Sequence, residues 1–236
     1  MLKLDEVHTY YGNSHILQGL SFEVPQGKCV ALLGRNGAGK TTTIHSIAGL
    51  TPPRKGTITY RGKPVSGLPS YKIARLGIGL VPQGRRIFPS LTIRENLTVP
   101  AKDSRQKDKG HKSWDLESVY ALFPVLRERE HNMGTQLSGG QQQMLAIGRA
   151  LMTNPQFILM DEPSEGLAPV MIEQVGDIIK KLKETGLSIL LVEQNFYLAC
   201  DAADEVLVMN KGQIVWKGTP GELLANEDIQ HQYLGV

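Results

Sequence analysis

The sequence predicts an α/β fold with a mainly parallel sheet, and three observations carry that prediction. The runs Cys29–Leu33, Phe157–Met160 and Ser188–Val192 are apolar with almost no alternation, the pattern of strands buried on both faces. Helical spacing follows each of them: from Lys40 to about Gly49, ahead of Pro52-Pro53; through Met171, Val175, Ile178 and Leu182; and near Asn195–Ala203. Strand alternating with helix places ligands at the carboxyl ends of parallel strands. Finally, 236 residues with 41% hydrophobic and 21% charged side chains suffice for a buried core and exclude disorder or a disulfide scaffold. The only cysteines, Cys29 and Cys200, fit a reducing compartment without a zinc site. A net charge of +3 exerts no strong pull on nucleic acid. Met1–Glu6 has no apolar signal core, and no run reaches the ~20 apolar residues of a membrane span. The expectation is a soluble, cytosolic-type protein.

In order along the chain, the first fifth reads as strand, turn, strand, strand. Leu20, Phe22 and Val24 alternate with polar neighbours, as in a half-buried antiparallel strand. Pro25-Gln26-Gly27 turns the chain into Cys29–Leu33, and Thr57–Arg61 is a further alternating strand with Ile58 and Tyr60 on one side. From Thr92 to Ala150 the character is helical, with no good strand. Within it Ala101–Ser113, carrying Lys102, Arg105, Lys107, Lys109 and Lys112, reads as a solvated loop. The chain is therefore expected to form one unit over 1–236: a core from 1–91 and 151–236, with a helical subdomain, 92–150, inserted. Asn210-Lys211-Gly212 predicts a hairpin turn between strands Glu205–Met209 and Gln213–Lys217. No repeat of solenoid period occurs.

Gly34-Arg35-Asn36-Gly37-Ala38-Gly39-Lys40-Thr41, followed by Thr42, fits G-x-x-x-x-G-K-[ST] between a buried strand and a helix. Glycines let backbone N–H groups close around phosphate oxygens, and the following helix offers its positive end to the same anion. Lys40 supplies a mobile charge for the β and γ phosphates, and the Thr41 hydroxyl is a Mg2+ ligand. The run Phe157–Met160 ends in Asp161-Glu162, which delivers two carboxylates to the ligand edge, beside the phosphate loop at the end of an expected neighbouring strand: Asp161 for Mg2+, Glu162 to polarise an attacking water.

Leu137-Ser138-Gly139-Gly140-Gln141 precedes Gln142–Leu151, with Ser138 as N-cap and two glycines leaving helix-end N–H groups open to an anion. Lying between the phosphate loop and Asp161, this pentapeptide completes an ordered set that resembles the ATP-binding subunit of ABC transporters over essentially the whole chain. The resemblance implies a P-loop NTPase (RecA-like) core with an N-terminal antiparallel β subdomain and an inserted helical subdomain. It also implies head-to-tail pairing with a second ATPase subunit, so that each ATP lies between one phosphate loop and Ser138, Gly139, Gly140 and Gln141 of the other subunit. Tyr11 takes the place of the aromatic that stacks on adenine. Gln83 takes that of the glutamine touching metal and nucleotide, and Ser164–Pro169 that of the loop crossing to the opposing subunit. Two separate membrane permease subunits are implied, docked in a groove near Gln83 where Arg85, Arg86, Ile87 and Phe88 lie. That places the protein peripherally, on the cytoplasmic face of the membrane, with an extracytoplasmic binding protein as indirect partner and no nucleic acid.

The family usually has a histidine at the γ-phosphate where this chain has Gln194, and an amide carries no charge and shuttles no proton. Leu191–Asn195, Gly166–Pro169, Leu122-Phe123-Pro124 and Leu223–Glu227 resemble the F-type ATPase of importers for branched-chain amino acids and related amides, which pairs with a histidine-bearing G-type ATPase, a homodimer in isolation staying open. Tyr10–Leu17 and Val81–Arg85 lean toward the urea or short-amide branch. A GTPase is rejected, because Asn210-Lys211-Gly212-Gln213 lacks the aspartate that reads guanine. A soluble ABC ATPase acting on nucleic acid or ribosomes is disfavoured by a single cassette without a basic stripe. A mainly ATP-binding regulatory partner is kept open by Gln194 and opposed by Glu162.

Overall fold

The computed structural model describes residues 1–101 and 113–235. The lysine-rich stretch from Lys102 to Lys112, expected as a solvated loop, lies outside them. The elements run β1 (Leu2–Tyr11), β2 (Ser14–Val24), β3 (Cys29–Leu33), α1 (Lys40–Ile47), β4 (Lys55–Tyr60), β5 (Lys63–Pro64), α2 (Ser70–Arg75) and β6 (Ile78–Val81). Among the described residues four α-helices follow, α3 (Ile93–Thr98), α4 (Leu116–Leu122), α5 (Pro124–Glu128) and α6 (Gly139–Leu151), with a 3-10 turn at Gly134–Gln136 before the last. The chain then returns to β7 (Phe157–Asp161), α7 (Pro169–Glu184), β8 (Ser188–Glu193), α8 (Phe196–Ala202), β9 (Glu205–Asn210) and β10 (Gln213–Gly218), followed by α9 (Pro220–Leu224), α10 (Glu227–Ile229) and a π-helical turn at Gln230–Leu234.

Two sheets result: a four-stranded antiparallel one, β2-β1-β4-β5, and a six-stranded one, β10-β9-β3-β8-β7-β6, parallel except for β10. The unbroken apolar runs have a direct cause. Along β7, Phe157 and Leu159 enter a core shared with α1 and the antiparallel sheet, whereas Ile158 and Met160 enter a core shared with α6 and α7. Along β8, Leu190 and Val192 take the first side, Ile189 and Leu191 the second. Both faces need apolar side chains, each worth about 1.5–3 kcal/mol on full burial. The alternating strand around Leu20, Phe22 and Val24 buries those residues in the core below it.

One expectation needs correcting. The phosphate-loop strand β3 and the acidic strand β7 are not neighbours, because β8 lies between them and pairs with both. Helix α6 enters through a reciprocal capping box, Ser138 Oγ with Gln141 N–H and Gln141 Oε1 with Ser138 N–H. The predicted hairpin turn is present, with Asn210 paired to Gln213, and Lys211 and Gly212 at φ +45° and +79°.

Cys29 opens β3 fully buried, and Cys200 lies half-buried on α8; both thiols are free. Burial pushes Cys29 from 9.0 up to about 12 and Cys200 up to about 11. Between pH 9 and 12 the unfolded chain therefore loses the Cys29 proton that the folded chain keeps, so stability falls as pH rises through that window. At pH 8, thiol reagents are expected to label the native chain at about a hundredth or less of the rate seen in denaturant, since the thiolate is the nucleophile. Equal labelling rates with and without denaturant would contradict this.

Candidate nucleotide site

The ends of β3, β6, β7 and β8 converge on one edge of the parallel sheet. From β3 the chain passes through Gly34–Gly39 into α1. Gly34 is required by close approach, because a Cβ there would lie 2.5 Å from the Met209 carbonyl oxygen. Gly39, the residue before α1, sits at φ +113°, a conformation that side chains resist. The loop is braced from behind: Gly212 N–H donates to the Ala38 carbonyl at 2.8 Å, and Gln18 N–H to the Gly212 carbonyl at 3.0 Å. Lys40, only 5% exposed, folds into the hollow of the loop. It donates to the Gly34 carbonyl at 2.8 Å and pairs with Glu162 Oε1 at 3.1 Å.

Asp161 closes β7 buried, and its Oδ1 accepts from the Thr41 hydroxyl at 3.3 Å. Burial raises its carboxyl from 3.8 to about 6, against the pull of Thr41. The next residue, Glu162, adopts φ +48°, rare outside glycine and found where a site over-determines the backbone. Its N–H is held by the Val192 carbonyl at 2.9 Å, and its Oε2 accepts from Gln83 Nε2 at 3.3 Å. Gln83, two residues beyond β6, thus joins Glu162 and Lys40 in one chain of contacts, beside the Thr41–Asp161 pair. Among the described residues no set of three His, Cys, Asp or Glu side chains is arranged around a metal. A buried carboxylate, Asp161, and the Thr41 hydroxyl that donates to it are hard-oxygen groups of the kind that bind Mg2+ together with phosphate.

Beside this group a cavity of about 250 Å³ is lined by Asn36, Gln83, Glu162, Ser164, Glu165, Glu193 and Gln194. Gln194 therefore does share a chamber with Glu162 and the phosphate loop. Glu193 was not anticipated. It is 1% exposed, and its carboxylate accepts from the Ser164 N–H and hydroxyl and from the backbone of Gln194 and Asn195. Burial holds its carboxyl above the usual range, while those donors pull it down. Its signal was present in the sequence, since Leu190-Leu191-Val192-Glu193 repeats the apolar-run-then-acid pattern of Leu159-Met160-Asp161.

Tyr11 ends β1 and is 46% exposed. Its hydroxyl lies 3.3 Å from His45 Nδ1 on α1 and 3.3 Å from the Thr51 hydroxyl, which donates to it. Thr42 faces inward on α1, buried. The segment Ser138–Gln141 is not brought to the phosphate loop: among the described residues no hydrogen bond or ion pair joins 138–141 to 34–42. Gly140 packs directly against the Met171 side chain, and Gly139 against the Arg85 guanidinium. Arg85, at φ +64°, also reaches the carbonyls of Glu165 and Gly166 at 3.4 Å each. Of the four residues expected at a docking groove, Phe88 lines one, Ile87 packs into the core beside it, Arg85 turns away to that loop, and Arg86 stays exposed at φ +43° outside the groove lining. Arg149 of α6, unremarked in the sequence, stacks on Phe88 at 4.8 Å and donates to the Arg85 carbonyl at 3.2 Å.

Comparison with known proteins agrees with this layout. The family model described as "ABC transporter" matches residues 17–165. The chain is 44% identical to the high-affinity branched-chain amino acid transport ATP-binding protein BraG of Pseudomonas aeruginosa, with both chains covered in full. It is 32% identical to the lipopolysaccharide export system ATP-binding protein LptB of Haemophilus influenzae, covering 100% of this chain and 97% of that one. Among solved structures, a nucleotide-free ATP-binding cassette from an ABC transporter superimposes with TM-score 0.82 at 26% identity, covering 96% of this chain and 95% of that one. A dimeric, post-hydrolysis cassette bound to ADP and Pi gives TM-score 0.79 at 26% identity, covering 93% and 99%. A phosphate loop, an acidic strand end and a glycine-opened helix in this order, on this fold and with these relatives, mean that the chain belongs to the ABC transporter family, as one of its ATP-binding, ATP-hydrolysing cassettes.

Proposed function

We propose that this cassette powers uptake of branched-chain amino acids or related short amides through separate membrane subunits. Cassettes of the family work as dimers on permease subunits. In this reading ATP lies between Gly34–Thr42 of one subunit and Ser138–Gln141 of the other, because the two segments stay apart within one chain. Lys40 exchanges its pairing with Glu162 for the β and γ phosphates. That exchange frees the Glu162 carboxylate, 11% exposed and already turned toward the cavity, to take a proton from water. Thr41, Asp161 and Gln83 are the residues that hold Mg2+, which when bound neutralises charge developing on the phosphate oxygens. Gln194 donates a neutral hydrogen bond toward the γ-phosphate, and Tyr11, anchored by His45 and Thr51, offers its exposed face to adenine. Because Gln194 moves no proton, this chain turns over slowly as a homodimer and works best in a heterodimer with a second, histidine-bearing cassette.

One observation carries the transport reading. An apolar groove of about 380 Å³ runs beside the Gln83 loop, lined among others by Leu50, Tyr71, Leu80, Phe88, Val99 and Arg149. Four of these apolar side chains are solvent-facing: Leu50 at 51%, Tyr71 at 56%, Phe88 at 42% and Val99 at 64% exposed. Clustered exposed apolar surface marks an interaction site, and this patch touches the loop that carries Gln83 into the nucleotide site. Among the described residues no helix is long and apolar enough to cross a membrane, which is why separate permease subunits at the cytoplasmic face are invoked. Import rather than export rests on the 44% identity to the branched-chain amino acid relative against 32% to LptB.

The test is co-purification from detergent-solubilised membranes, followed by uptake of a branched-chain amino acid, urea or a short amide into vesicles holding the complex. Phe88→Asp is expected to cut permease recovery about tenfold, by placing a charge in an apolar contact, while the ATPase rate of the purified cassette stays within about twofold. Full recovery of the permease with Phe88→Asp, or a complex that takes up none of the three cargoes, would overturn the reading.

A further inference from the structure

Glu193 has no part in the chemistry proposed above, yet it is a carboxylate at the end of an apolar strand, 1% exposed. Its Oε1 accepts from the Ser164 N–H at 2.9 Å. Its Oε2 accepts from the Ser164 hydroxyl at 2.8 Å and from the N–H groups of Gln194 and Asn195 at 3.1 Å each. Every partner is a donor, as an ionised carboxylate requires. Among the described residues Glu193 has no ion-pair partner, so a buried charge is held here by hydrogen bonds alone, an arrangement that is costly unless all of them are made.

The two segments that it ties together line the same cavity. Ser164 and Glu165 belong to the loop after Glu162, and Gln194 belongs to the turn after β8. A second tie runs parallel to the first, since the Glu162 N–H is held by Val192, one residue before Glu193. The end of β8 thus grips residues 162–164 at two successive points, one of them the backbone of Glu162.

We propose that Glu193 is a positioning residue for ATP hydrolysis: it clips the loop after Glu162 to the turn that carries Gln194, so that the carboxylate and the amide keep a fixed spacing and move together when that loop is displaced by an opposing subunit. This rests on the roles given above to Glu162 and Gln194. Replacing the carboxylate by an amide of the same shape turns an NH2 group toward at least one of the donors, and an unpaired buried donor is more damaging than the loss of one bond.

Steady-state hydrolysis and melting temperature test it. Glu193→Gln is expected to lower kcat about tenfold with KM for ATP within about twofold, the split that marks lost transition-state positioning rather than lost binding. Ser164→Ala is expected to lose about threefold in kcat, Ser164→Thr to restore it, and the Glu193→Gln, Ser164→Ala pair to be no slower than Glu193→Gln alone, because both act through one contact. A folded Glu193→Gln with kcat within twofold of the parent overturns the clip, as do losses that simply multiply in the double variant. If Glu193→Gln fails to fold, the Ser164 pair decides: a loss with Ala and recovery with Thr supports the clip, and an unchanged Ala variant overturns it. Glu162→Gln is run alongside. Should it match the parental rate, the catalytic reading itself fails; should it lose turnover while Glu193→Gln is normal, only the clip fails.

Discussion

Glu162→Gln is expected to reduce turnover by about a thousandfold, within the range for removing a general base, and at the same time to bind ATP more tightly than the parent. The two effects share a cause. Glu162 accepts from Gln83 through one oxygen and pairs with the buried Lys40 ammonium through the other. A triphosphate competes with that carboxylate for Lys40, so each binding event includes the cost of parting a largely buried pair. An amide keeps the shape, and with it the hydrogen bond to Gln83, but no longer holds the ammonium by charge. ATP affinity is therefore expected to rise about fivefold, less than the several kcal/mol that breaking a fully buried pair can cost, because the phosphates replace the lost partner. With binding intact and cleavage blocked, the Mg2+·ATP form should accumulate as a dimer on size exclusion, whereas the parent returns to monomer as nucleotide is consumed. Parental hydrolysis by this variant would remove Glu162 from the chemistry. Normal loss of hydrolysis with weaker ATP binding would instead show that the Lys40–Glu162 pair does not compete with phosphate.

The parts of this site that sequence exposes are those whose chemistry is local. The glycines of Gly34–Gly39 are dictated by backbone conformation and close approach at each position, so their spacing is legible without the fold. The same holds for the Ser138 cap, whose partner lies three residues away, and for Asp161, delivered by an apolar run that only a two-faced strand explains. What stayed hidden is non-local. Strand order is set by crossovers between distant segments, and nothing in β3 or β7 announces that β8 will lie between them. The four-residue strand β6 is too short for any periodicity to show, and it positions Gln83 only through pairing with β7. Glu193 read as a strand boundary because a charged residue after apolar ones normally meets solvent; here the Ser164 loop and its own following turn bury it. Arg85 is unreadable for another reason. Its direction follows from a left-handed backbone at φ +64°, and this carries the guanidinium across to residues 165–166 and against Gly139.

That last contact allows a sharp test of the shared site. Gly139→Asp is expected to leave the folded monomer intact, and to abolish both ATP-dependent dimers and turnover. Position 139 is the first residue of α6, where a carboxylate interacts favourably with the helix dipole by about 0.3–1 kcal/mol. A Cβ there meets only the end of the flexible Arg85 side chain, at 3.2 Å, so an aspartate gains a cationic neighbour rather than a clash. Within one chain the substitution is therefore neutral or stabilising, and melting temperature should hold or rise. Across a dimer interface it is the reverse, because the new charge would face the γ-phosphate of the partner's ATP with little water between them. Like charges at that range in a desolvated contact cost several kcal/mol, enough to lower dimer affinity by more than about a hundredfold. The decisive measurement places Gly139→Asp in the Glu162→Gln background and asks for dimer by sedimentation with Mg2+·ATP, beside equilibrium ATP binding by the monomer. Unchanged ATP binding with no dimer is the expected pair of results. A dimer that still forms at parental ATP concentrations would mean that the glycine-opened end of α6 never meets the phosphate, and nucleotide sharing between subunits would have to be abandoned.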